Sequence, residues 1–122
     1  MAKINFEDRV LDTTTTTGTG DITLSGTAPV GYITFNTAFG LNTRCYYVID
    51  SGGGSEWEIG AGYLTSSTVL VREDISGSSN AGALVNFSAG TKNVFCALPA
   101  NYLRRLATLG RSLTVGLGNF NR

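Results

Sequence analysis

A chain of 122 residues suits one ordinary domain, able to bury about two thirds of the surface its unfolded form exposes. Sixteen glycines against two prolines, with 42% hydrophobic residues, describe short strands joined by turns and exclude a disordered polymer. Nine acids balance nine bases and there is no histidine, which excludes Ser-His-Asp and Cys-His catalysis and removes the commonest ligand for zinc, copper and iron.

The N-terminal Met1 to Glu7 has no apolar core of a signal peptide, and no apolar stretch approaches the ~20 residues of a membrane helix. Synthesis in a cytoplasm is the expectation. Thr13 to Thr17 are five successive β-branched residues, followed by Gly18-Thr19-Gly20. Their stiff χ1 torsions resist a helix and fit a pleated surface, so a hydroxyl-rich strand over 13–19 is predicted. Its backbone groups need another strand or subunit to cover them. Further strands are predicted over 21–25, 32–39, 43–50, 56–64, 67–75, 83–88 and 92–98, separated by glycine-rich turns. Apolar residues alternate at Ile22/Leu24, Ile33/Phe35, Cys45/Tyr47/Ile49, Trp57/Ile59 and Val94/Cys96/Leu98, and these are assigned to the core. On that phase Glu56 and Glu58 fall on the solvated face, and Trp57→Ala is expected to open a cavity costing ~3–5 kcal/mol.

After Pro99 the pattern changes. Apolar residues at 102, 103, 106 and 109, with a stop at Gly110, predict a short amphipathic helix, and 111–122 has no periodicity. The fold class expected is all-β, a single jelly-roll-like β-sandwich of about seven or more short strands. It spans 1–110 with the terminal helix, and 111–122 forms a tail or assembly arm.

The chemical motifs are weak. Cys45 and Cys96 lie on apolar faces and read as small buried hydrophobes rather than as a disulfide, and two thiols without histidine are too few for a zinc site. Glu56 and Glu58, two apart on a strand, have a spacing of paired glycosidase carboxylates, but their solvated face argues for plain surface acids. Asp50 to Glu58 lacks the ligand spacing of an EF-hand loop. Gly18-Thr19-Gly20-Asp21 lacks the lysine of a phosphate loop and leads into a strand. No catalytic, cofactor or metal site is assigned, and no cofactor is expected. Arg104 and Arg105 belong to a chain with pI near 6.1, which lacks the basic footprint of a nucleic-acid binder.

Charge is uneven along the chain. Residues 1–74 hold all nine acids and four bases, a net −5, whereas 75–122 hold five bases and no acid, a net +5. Such asymmetry favours docking one copy's tail on another copy's body.

Several segments carry a resemblance: Asp8 to Asp12, the threonine run, Trp57-Glu58-Ile59-Gly60, Ala83 to Lys92 and Val94-Phe95-Cys96. Over roughly 6–99 the chain resembles a small β-domain of tailed-bacteriophage virion proteins, found in tail-fibre, head-fibre and neck or collar proteins. The resemblance implies a non-enzymatic structural protein of the virion that oligomerises and anchors a fibre, collar or tail component. Its expected partners are other copies of itself, in a trimer or ring, and other virion proteins, with no nucleic acid and no membrane, and with host-surface glycan only indirectly. The alternatives are a capsid decoration protein and, as a different class, a carbohydrate-binding module using Trp57 and Tyr63. The assembly interface is assigned to Thr13, Thr15, Thr17, Arg104, Arg105, Arg111, Phe120 and Arg122.

Overall fold

In the computed structural model, residues 4–53, 55–100 and 103–104 are described. Their elements run β1 (Leu11–Thr14), β2 (Ile22–Thr23), α1 (Phe35–Phe39), β3 (Cys45–Asp50), β4 (Trp57–Ser66), β5 (Val69–Ser78) and β6 (Lys92–Phe95). All strand pairs are antiparallel, and the six strands form one sheet in the order β1-β6-β3-β4-β5-β2. Just beyond β2, Leu24 bridges Thr14 of β1, and Ser25 N donates to Thr13 O, so the two ends of the sheet meet. The protein is therefore all-β, as the alternation predicts, with one nearly closed sheet enclosing the core. The jelly-roll arrangement is not part of what this strand order establishes.

The interior is filled by Ile22, Leu24, Phe35, Cys45, Tyr47, Ile49, Leu64, Leu70, Val85, Phe87 and Val94. Each large side chain taken fully out of water contributes ~1.5–3 kcal/mol. The β4–β5 hairpin is the longest pairing, and its register shifts between Ile59 and Gly60, Ala61 and Gly62, and Leu64 and Ser66. At these irregularities the strands approach closely. A Cβ on Gly62 would lie 1.9 Å from Val71 O, and one on Gly60 would lie 2.4 Å from Asp74 O. Only glycine leaves room for the partner backbone at these two points.

Several expectations are corrected. The segment 32–39 is not a strand: Phe35–Phe39 is a short helix whose N-cap Thr34 accepts a hydrogen bond from Thr37 N, and Gly40 ends it at φ 73°. Both are helix-boundary residues that local periodicity obscured. Segment 83–88 buries Val85 and Phe87 but is not the strand expected there, forming only isolated bridges, Asn80 with Ala83 and Gly18 with Phe87. The threonine strand is shorter than predicted, β1 ending at Thr14, and its edge is covered from within by Leu24, Ser25 and Ile33. Trp57 is on the outside, 39% exposed, and Glu58 is on the inside, fully buried. The predicted C-terminal helix is described only at Pro99, Ala100, Leu103 and Arg104, where Leu103 N donates to Pro99 O. The rest of that helix and the 111–122 tail lie outside the described residues.

Candidate functional site

Ile49 of β3 stands directly opposite Glu58 of β4, and opposed residues share a face of the sheet. Because Ile49 points inward, Glu58 must too. A bare buried carboxylate would be costly, and the barrel meets this one completely. Arg72 donates from Nε to Oε2 at 2.9 Å and from Nη2 to Oε1 at 2.6 Å, a bidentate fork. Tyr47 OH donates to Oε2 at 2.7 Å, and Val85 N donates to Oε1 at 2.9 Å. Burial, followed by the neighbouring Glu58 charge, drives the Tyr47 phenol well above its usual range, so it remains a donor.

Arg72 spends its remaining donors on the loops that close this end of the barrel. Nη1 donates to Gly18 O and Gly20 O, at 3.2 and 3.1 Å, and Nη2 to Val85 O at 2.6 Å. The Phe87 ring lies under the guanidinium at 5.2 Å, with the Lys92 ammonium 5.9 Å from the same ring. Lys92 Nζ donates to Thr16 O and Gly90 O, both at 2.9 Å, and desolvation lowers its pKa. Loops 15–21 and 79–91 are thus clipped to the strands by two cations bonded to main-chain carbonyls. Asp12 does the equivalent at the seam, where it is buried and accepts from Thr13 N, Ser25 Oγ and Gly26 N. Among the described residues no buried side-chain nitrogen or oxygen lacks a partner.

This polar pole positions loops. Glu58 is spent on Arg72, while Glu56 accepts from Ser88 N and Oγ, which holds its carboxyl below the usual range. The two carboxylates therefore do not face one cleft, and the solvated position expected for Glu58 is corrected. Asp50 accepts from Gly52 N within its own turn. Among the described residues no three His, Cys, Asp or Glu side chains cluster for a metal. Both thiols are free, and burial pushes Cys45 up to about 12, with Cys96 raised for the same reason.

The outer face differs in character. Strand register sets Leu11 opposite Phe95, Phe95 opposite Val48, Val48 opposite Ile59 and Ile59 opposite Gly77. All five are outward and half-buried, forming an apolar row across β1, β6, β3, β4 and β5. At the β4–β5 end a groove of 320 Å³ is lined by Trp57, Ile59, Ser76, Gly77, Pro99, Ala100 and Arg104. The Trp57 indole reaches over Gly77, where an added Cβ would lie 3.7 Å from the ring. At the β1–β6 end a second groove, of 290 Å³, is lined by Arg9, Val10, Leu11, Tyr32, Phe95 and Cys96. Arg9 stacks on Tyr32 at 4.1 Å and donates from Nε to Gly31 O. Beside it Val30 stands fully exposed on the Pro29–Tyr32 turn.

Of the residues assigned to assembly, Thr13 is half-buried opposite Asn93, while Thr15 and Thr17 are exposed. Arg104 is exposed at the Trp57 groove, and Arg105, Arg111, Phe120 and Arg122 lie outside the described residues. Reading the sequence missed Arg72, Lys92 and Asp12, whose partners are 14 or more residues distant or in turns with no motif. Compared with protein-family models, curated proteins and solved structures, the chain matches none.

Proposed function

We propose that this chain is a non-enzymatic structural module of a tailed-phage virion, which oligomerises and joins a fibre, collar or tail component to the particle. The observation that carries the reading is the inversion of Glu58. The strongest candidate for acid–base chemistry is spent, with Arg72 and Tyr47, on fixing loops. The surface left outside offers hydroxyls and apolar side chains suited to contact with other proteins. The resemblance of 6–99 to virion β-domains supports the same conclusion. The reading is tested by peptide mass spectrometry and antibody labelling of purified particles of the phage encoding the chain. Its recovery at a fixed copy number per particle is expected, and its recovery only from the lysate supernatant would overturn the proposal.

The exposed Trp57 ring favours one second reading, a carbohydrate-binding module, because a half-exposed indole beside Ser76 and Arg104 is a platform for a sugar face. Tryptophan fluorescence titrated with host-surface polysaccharide separates the two: a saturable shift abolished in Trp57→Ser supports the sugar binder.

A further inference from the structure

The apolar row on the outer face is unusual for a small barrel, whose outward positions are ordinarily polar. Its two ends are not equivalent. The chain leaves β6 at Phe95 and passes to Pro99, Ala100 and Arg104 at the Trp57 groove, so it moves away from the groove at Leu11, Tyr32 and Phe95. That far groove has a hydrophobic floor. Glu7 and Asp8 lie within electrostatic reach of its Cys96, so with Arg9 the rim carries two acids against one base. Residues 105–122 have the complementary composition: Leu106, Leu109, Leu113, Val115, Leu117 and Phe120, with Arg105, Arg111 and Arg122 and no acid.

We propose that the groove formed by Arg9, Val10, Leu11, Tyr32, Phe95 and Cys96 receives the 105–122 segment of a second copy of this chain. This proposal rests on the oligomeric reading above and names the surface that makes the contact. If 111–122 alone is extended, its twelve residues reach about 40 Å, while five strands side by side span only about 20 Å, so the segment has the length to leave its own barrel. A tail on one copy and a groove on the next is a heterologous contact, which closes into a ring when the rotation permits. It also joins the basic part of one chain to the acidic part of another, which the separation of charges along the sequence favours. Strand addition is not the mode. The edge of β1 is occupied by Leu24, Ser25 and Ile33, so recognition is by side chains in a preformed groove.

The test uses the full chain with a photo-crosslinking phenylalanine at Tyr32, an exposed position, and in a separate protein at Trp57. Equal amounts of ¹⁵N-labelled and unlabelled protein are mixed, irradiated and digested, and circular dichroism verifies the fold. The expected result is that Tyr32 cross-links to peptides from 105–122 and that these pairs include mixed-isotope ones. Light scattering should show a multimer that Leu106→Asp/Leu109→Asp/Phe120→Asp reduces to a monomer. Same-isotope pairs only would place the segment on its own barrel and overturn the proposal. Cross-links to other peptides, or a monomer at all concentrations, would overturn it too. Failure of the virion reading is separate: the cross-link would persist in a protein that purified particles lack.

Discussion

At the Glu58 pole, polar groups are met from within: a carboxylate takes four hydrogen bonds, a guanidinium holds two loops, and one aromatic ring lies within reach of two cations. Along the outward row from Leu11 to Gly77 the chemistry is reversed, with apolar side chains left half exposed and an indole at one end. Composition alone would assign the acid to the surface and the tryptophan to the core. The difference teaches that the barrel has exchanged the two, stabilising an internal ion pair and presenting hydrophobic area outside. Exposed apolar area of that kind is what the proposed assembly role draws on.

The comparison is broken most severely at the pole. Glu58→Leu leaves the Arg72 guanidinium buried without its carboxylate, and Arg72→Met leaves the reverse, so each should cost about 3–5 kcal/mol in urea unfolding. The double variant should recover much of that loss, because neither charge is then stranded, and the cycle measures the coupling directly. Gly62→Ala comes next. Its Cβ meets the Val71 carbonyl, and overpacking of this kind costs about 1–3 kcal/mol or more by the same measurement.

Trp57→Ser sharpens the other side. A core tryptophan would cost several kcal/mol, but one lying half exposed over Gly77 should cost only about 1 kcal/mol, and assembly rather than melting should suffer. The smallest effect is at Glu56. Its folded pKa is lowered from 4.5 by Ser88, so its favourable contribution is present above that value and fades as pH falls through the folded pKa. Glu56→Gln should therefore lower the melting temperature slightly at neutral pH, where the contribution is present, and leave the acid end unchanged, so that the acid limb of a thermal-stability profile is flatter.

Much of the fold was legible. Ile22, Leu24, Cys45, Tyr47, Ile49 and Val94 point inward as their alternation predicts, since period 2 is a direct consequence of strand geometry. The phase of β4 was not legible. Trp57 and Ile59 outrank Glu56 and Glu58 in hydrophobicity, and the partner that makes Glu58 tolerable inside, Arg72, is 14 residues away on a strand with shifted register. Pairwise compensation across a sheet leaves no local pattern. Helix α1 was obscured for a different reason: five residues are too few for a 3.6-residue period, and only the cap Thr34 and the stop Gly40 marked it. The apolar row was hidden because it runs across strands, assembled from Leu11, Val48, Ile59, Gly77 and Phe95 by register alone.

The most direct measurement is a density map of the intact particle at a resolution that places side chains. The account predicts copies of this barrel in a closed ring, each with its Leu11, Tyr32 and Phe95 groove covered by a neighbouring copy and its Glu58 pole turned to no ligand. Solitary copies with that groove facing solvent, or a particle without this chain, would contradict it.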